Sequence, residues 1–187
     1  RGNEICPGDA KVVNTKVTTL LPKNNYGLTV QGRPTLLVYV PKTTAKKAFF
    51  SVQDAQGNDH FDQEINLPNQ AGIMQIDLKN APELATGTTY KWSLVLMCNN
   101  KMLPDSPTVE GYIKRVEANN NIKNVISSDS KLKQAKTYAE EGIWYETVAI
   151  LAQLKLEQPS EQNVNTSWQK VLADAGLSNI NQEQIMK

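Results

Sequence analysis

The sequence is poor in the residues on which many catalytic and metal sites depend: its 187 residues include one histidine and two cysteines. A single histidine leaves any histidine-based catalytic arrangement with one candidate, and two distant cysteines do not match a CxxC or zinc-binding spacing. Charge of one sign is also lacking, because 20 basic residues face 19 acidic ones. A net charge of +1 argues against nucleic acid as a partner.

Long hydrophobic runs are absent as well. No stretch approaches the roughly 20 apolar residues that a membrane-spanning helix needs, so we predict no membrane span. A hydrophobic content of 40% predicts a globular fold. The sequence begins at Arg1 with neither the charged nor the apolar region of a signal peptide, and we expect it to be a mature or shortened form.

The two cysteines, Cys6 and Cys98, lie far apart in the sequence. A bond between them would close a long loop and so restrict the unfolded chain. We predict a Cys6–Cys98 disulfide, with two separate reduced cysteines as the alternative.

The first part of the chain reads as short strands separated by turn residues, which is the rhythm of an antiparallel sandwich. Seven strands are the number expected of an immunoglobulin-like or fibronectin-like domain. The predicted strands are Val17–Leu21, Thr35–Val40, Ala48–Gln53, His60–Leu67, Gly72–Leu78, Thr89–Cys98 and Val109–Val116.

One of these strands carries a signature of such sandwiches. Alternation places Tyr90, Trp92 and Leu94 on one face, and the segment before Tyr90 resembles a tyrosine corner, in which the phenol bonds back to upstream backbone. We therefore expect Tyr90 and Trp92 to be core residues.

After Glu117 the apolar period becomes helical. We predict a first helix at Lys131–Glu141, a second at Trp144–Glu157 and a third at Asn165–Ala175. The predicted organisation is an α+β chain with a β-sandwich over 1–117, a linker over 118–130 and a helical unit over 131–187.

The first two predicted helices follow a known repeat spacing. Tyr138, Gly142, Trp144 and Pro159 fall where a tetratricopeptide (TPR) unit has its tyrosine, glycine, aromatic residue and closing proline. One such unit cannot form a solenoid, so we predict a TPR-like helical hairpin with a third helix packed on it.

Several phrases of the sequence, taken in order, resemble a family of secreted cyanobacterial proteins catalogued as domain of unknown function 928. They are Arg1-Gly2 with Cys6, Thr19-Leu20-Leu21-Pro22, Pro34-Thr35 with Val38-Tyr39-Val40-Pro41, Tyr90-Lys91-Trp92 with Cys98, Val109-Glu110-Gly111-Tyr112-Ile113-Lys114-Arg115, and Gly142-Ile143-Trp144-Tyr145-Glu146 with Trp168. The resemblance implies an exported protein of the periplasm or the extracellular space, which supports the disulfide. It implies no catalytic residues.

The acidic residues and the histidine do not form a recognisable catalytic or metal site. His60 lies in an alternating strand with no nucleophile motif nearby, and we interpret it as a solvated or edge-strand residue. Asp54, Asp59, Asp62 and Glu64 surround one hairpin without the order of a calcium loop. The glutamates Glu140, Glu141 and Glu146 flank a helix turn, where exposed charges are common. We expect no enzyme activity, no metal and no cofactor.

The candidate binding residues are Trp144 and Tyr145. Neighbouring helical residues point about 100° apart, so with Trp144 inside we expect Tyr145 to be at least partly exposed and available to a partner. The alternative is that Tyr145 packs against the sandwich. The leading hypothesis is a non-enzymatic adaptor that binds a protein of the cell envelope. A carbohydrate or surface-polymer binding module is the alternative, and a hydrolase that uses acidic residues is a third.

Overall fold

The computed structural model describes residues 4–10 and 16–186, which form a mixed α+β fold of two sheets and four α-helices. The strands are β1 (Thr18–Thr19), β2 (Tyr26–Thr29), β3 (Thr35–Val40), β4 (Lys47–Gln53), β5 (Asp59–Asn66), β6 (Gly72–Asp77), β7 (Thr89–Leu96) and β8 (Thr108–Arg115). The helices are α1 (Asn120–Ile126), α2 (Lys131–Glu140), α3 (Trp144–Glu157) and α4 (Gln162–Asp174), with a 3-10 turn at Ser178–Ile180. Within these ranges no helix combines the length and the apolar character needed to cross a bilayer.

The strands divide into a three-stranded sheet in the order β1-β3-β6 and a five-stranded sheet in the order β2-β8-β7-β4-β5. The prediction of a wholly antiparallel sandwich is wrong in one place, because β2 runs parallel to β8. Sequence reasoning missed β2, which is four residues long and contains Gly27, a residue that is unfavourable inside strands.

The sandwich core lies between the two sheets and is built by alternation. Strand β7 buries every second residue, among them Trp92 and Leu94. Trp92 lies 6.1 Å, ring to ring, from Phe50 of β4. Full burial of each large apolar side chain contributes about 1.5–3 kcal/mol. The expectation that Tyr90 and Trp92 are core residues is confirmed, since they are 5% and 1% exposed.

The tyrosine corner is also present. The Tyr90 phenol accepts a hydrogen bond of 3.1 Å from the backbone N–H of Ala85. This bond ties the entry of β7 to the loop before it, as the sequence predicted.

Strand β3 is buried on both faces. Leu36, Val38 and Val40 face the sandwich core, whereas Leu37 and Tyr39 belong to a second core shared with the helices. Continuous apolar sequence without alternation is typical of a strand covered on both sides. The molecule therefore has three layers: the five-stranded sheet, the three-stranded sheet and the helices.

The segment 118–130, predicted as a linker, contains helix α1. Its start is capped by Asn119, whose side chain accepts from the backbone N–H of Ile122. Ile122 and Val125 are the two buried residues of the helix, and two apolar positions in seven residues give too little periodicity to read from the sequence. The predicted boundary at residue 117 stays a prediction.

The predicted disulfide is confirmed. Cys6 and Cys98 are bonded, with their Cα atoms 5.6 Å apart and a sequence separation of 92. Both are buried, at 1% and 2% exposure. Asp9 supports the bonded segment, because its carboxylate accepts from the Thr43 hydroxyl and from the backbone and hydroxyl of Thr44.

Replacing both cysteines by serine is expected to lower the free energy of unfolding by about 4–5 kcal/mol, because the unfolded chain regains the freedom of a long loop. Urea denaturation of oxidised wild type and of the Cys6→Ser/Cys98→Ser variant measures the difference. A reducing agent should destabilise wild type and leave the variant unchanged. Equal urea midpoints for the two proteins would refute this account.

Candidate functional site

The first turn of α3 joins the helices to the sandwich through two aromatic side chains. The Tyr145 hydroxyl accepts a hydrogen bond of 2.9 Å from the indole N–H of Trp92 and donates one of 3.1 Å to the backbone carbonyl of Tyr112. The indole N–H of Trp144 donates to the carbonyl of Leu20 at 2.8 Å. Both side chains are therefore anchored in the fold.

The expected exposure of Tyr145 is wrong, because its side chain is 2% exposed. Its position matches the alternative, in which it packs against the sandwich. Two neighbouring residues can both be covered here because α3 contacts both β2 and β3. Burial raises the pKa of the Tyr145 phenol, so the group stays protonated and keeps both hydrogen bonds.

Glycine makes room for this contact. A Cβ atom at Gly27 would lie 2.7 Å from the Tyr145 ring, and one at Gly111 would lie 2.6 Å from the Trp92 ring. Glycine inside a strand often marks such a close approach. A glycine in a strand is a sequence signal of such an approach, but it does not identify Tyr145 as the side chain that approaches.

Glu146, the next residue of α3, is a buried carboxyl group. It was expected to be an exposed charge, but the residue is 7% exposed. The Thr29 hydroxyl donates to its Oε1 atom, whereas Oε2 has no hydrogen-bond partner among the described residues. Burial raises the pKa of Glu146, although the bond from Thr29 and the nearby backbone N–H groups of Glu146, Val30 and Gln31 act in the opposite direction.

Two concave surfaces flank the start of α3. The first, which we call the apolar crevice, has a volume of about 460 Å³ and lies between β2, the turn from α2 to α3, and α4. It contains the predicted binding residue Trp144. Its other principal wall residues are Tyr26, Leu28, Ala139, Ile143 and Val171.

The second surface, which we call the polar cleft, has a volume of about 320 Å³. It lies on the other side of α3, because residues 145, 146, 149 and 150 point away from residues 143, 144 and 147. Tyr138 forms part of its wall, and the polar wall residues are Gln31, Arg33, Lys131, Gln134 and Glu146.

The remaining acidic candidates do not converge. Glu140 and Glu141 line a separate surface pocket from Glu146. Side-chain amides of Asn121 and Asn119 donate to the Glu141 carboxylate and lower its pKa. Across residues 4–10 and 16–186, no group of three or more histidine, cysteine or acidic side chains is placed to hold a metal ion.

His60 lies on β5, the edge strand of the five-stranded sheet, as expected. Its ring lies 4.8 Å from that of Tyr90, and its Nε2 atom is 3.1 Å from the carbonyl of Pro82. The acidic side chain of Asp54 serves the adjacent turn, where it accepts from the backbone N–H groups of Gln56 and Asn58. These contacts are structural.

Comparison with known proteins assigns the family. The model of the family described as Domain of Unknown Function (DUF928) matches residues 1–185. The chain belongs to this family. The resemblance inferred from the sequence is thereby confirmed, and the comparison with curated proteins finds no match.

Solved structures give only distant similarity. The fn3 domain of human collagen alpha-1(XX) matches with a TM-score of 0.34 and 11% identity, over 60% of this chain and 90% of that one. A β-glucuronidase of Parabacteroides merdae matches with a TM-score of 0.29 and 13% identity, over 91% of this chain and 27% of that one. A β-glucuronidase of Ruminococcus gnavus has a TM-score of 0.29 and 10% identity, over 90% and 41% of the respective chains. At these scores neither fold nor function follows from the likeness.

Replacing Tyr145 by phenylalanine is expected to lower the free energy of unfolding by about 1–3 kcal/mol, because the buried Trp92 N–H loses its acceptor. Urea denaturation measures the loss. Tyr112→Phe is the matched control, since the Tyr112 side chain is 42% exposed and only its backbone receives the Tyr145 bond. A Tyr145→Phe variant as stable as the control would show that the bond is not stabilising.

Replacing Glu146 by glutamine is expected to raise the melting temperature at neutral pH. The folded-state pKa of Glu146 lies above the ordinary value of 4.5. As the pH rises above that value, the unfolded chain releases the carboxyl proton before the folded chain does, and the free energy of unfolding therefore decreases. Below 4.5 both states hold the proton and the advantage of the variant should disappear. Melting temperatures measured from acidic to neutral pH check this prediction, with Glu140→Gln as the exposed control. A gain that does not depend on pH would contradict the explanation.

Proposed function

We propose that this protein is a non-enzymatic, extracytoplasmic adaptor whose apolar crevice receives an apolar side chain of a partner protein in the cell envelope. The observation that carries the proposal is the crevice itself, which holds the partly buried Trp144. Concave apolar surfaces of about 300–1,000 Å³ are the usual size of binding sites. Tryptophan is enriched among the residues that dominate binding energy at interfaces.

The walls of the crevice are held in place before any partner arrives. Trp144 is fixed by its bond to Leu20, and Tyr145 fixes the adjacent turn of α3 to the five-stranded sheet. A preformed site needs less ordering on binding, which favours affinity. This rigidity supports recognition by the crevice.

An exported location is part of the proposal. The buried Cys6–Cys98 disulfide supports it, because such bonds persist in oxidising compartments. We also interpret the sandwich as immunoglobulin-like or fibronectin-like on the basis of its tyrosine corner. The antiparallel pair α2 and α3, which turns at Gly142 with a φ of 72°, is interpreted as a TPR-like hairpin.

Affinity enrichment from the envelope fraction of the source organism tests the proposal. Ala139 is exposed, helical and part of the crevice wall, so Ala139→Lys places a charge there with little effect on the fold. The matched control is Ala173→Lys, at an exposed helical alanine outside the crevice. We expect wild type and the control to retain the same partner and Ala139→Lys to lose it.

Titration with the purified partner then measures the effect. A weakening of at least about tenfold is expected, because burying an unpaired ammonium group is strongly unfavourable. Equal affinity of Ala139→Lys and Ala173→Lys would refute the crevice as the site. The surface-polymer alternative replaces the adaptor if no protein is enriched above control baits, and if an envelope glycan binds wild type but not the Ala139→Lys variant.

A further inference from the structure

The polar cleft is bordered by a carboxyl group of which one oxygen atom lacks a hydrogen-bond partner among the described residues. The Oε2 atom of Glu146 is buried without a hydrogen-bond partner in the described part of the chain, while Oε1 is bonded to Thr29. A buried acceptor without a donor is unfavourable by about 1–3 kcal/mol, and by more when it is charged. A ligand that brings a donor to Oε2 would recover this energy.

The rim of the cleft carries a positive charge. The ammonium group of Lys131 lies 3.4 Å from the Gln134 side-chain oxygen, and no carboxylate of the described residues is within ion-pair distance of it. Arg33, by contrast, forms an ion pair with Glu83 at 3.0 Å, a carboxylate that it shares with Arg115. The cleft thus offers one buried carboxyl acceptor and one positive charge without an ion-pair partner among the described residues.

The remaining walls suit a cation. Tyr138 and Tyr145 both border the cleft beside Glu146, and aromatic rings next to a carboxylate favour an organic ammonium group. A volume of about 320 Å³ exceeds the space of one water, which is about 30 Å³. A single bound water would therefore leave most of the cleft open.

We propose that the polar cleft binds a small zwitterion of the amino-acid class, with its ammonium group at Glu146 and its anionic group at Lys131. This site is separate from the apolar crevice and does not depend on the proposed adaptor function. Gln134 positions the rim, since its amide donates to the carbonyls of Ile126 and Ser128 while its oxygen faces Lys131.

NMR titration of the full chain tests the proposal. The probes are β-alanine, 4-aminobutanoate and 6-aminohexanoate, a series in which the two charges move apart, with hexylamine and hexanoate as single-charge controls. The backbone amides of Gln31, Gln134 and Ala149 report on the cleft. We expect at least one zwitterion to shift these signals at millimolar concentration and to bind more tightly than either single-charge control.

Variants separate the two charges. Glu146→Gln is expected to weaken zwitterion binding by at least about tenfold, the loss of one charge-assisted hydrogen bond. Lys131→Gln should weaken zwitterion binding and leave hexylamine unaffected. Lys133→Gln, on an exposed neighbour in the same helix that lines a different pocket, is the matched control and should bind as wild type does.

Three results would overturn the proposal. They are the absence of cleft shifts with every zwitterion, unchanged binding by Glu146→Gln, and equal binding of hexylamine and the best zwitterion. Lys131→Gln preserves the test if Glu146→Gln fails to fold. Ala139→Lys should bind the zwitterion normally, so the outcome is distinguishable from a failure of the adaptor proposal.

Discussion

A buried hydrogen bond between the indole of Trp92 and the phenol of Tyr145 joins the two parts of this fold. Trp92 belongs to the sandwich core, and Tyr145 to the first turn of α3. Each side chain is nearly inaccessible to solvent, so neither polar group can obtain an equivalent bond from water. The helices are therefore placed on the sandwich by a directional contact as well as by apolar burial.

This contact exists because two strands carry glycine. Gly27 leaves space for the Tyr145 ring, and Gly111 leaves space for Trp92. A side chain at either position would separate α3 from the sheet or displace a ring of the core. The close contact between α3 and the sheet in turn determines which sides of α3 remain open, and therefore where concave surfaces form.

The two surfaces beside α3 differ because consecutive residues of a helix point in different directions. Trp144 and Thr147 face the apolar crevice, whereas Glu146 and Ile150 face the polar cleft. Burial of the Glu146 carboxyl is unfavourable for folding. Unfavourable buried groups of this kind concentrate at functional sites, where stability is exchanged for recognition.

The sequence by itself determined the local structure. Alternation and turn residues predicted seven strands to within two residues at each end, the helical period predicted α3 as Trp144–Glu157, and the two cysteines predicted the disulfide. Tertiary structure alone decided the parallel strand β2, helix α1, the burial of Tyr145 and that of Glu146. Periodicity reports which residues share a face of one element, whereas burial depends on what lies opposite that face. For α3 the element opposite included β2, which was not recognised because it is short and contains glycine.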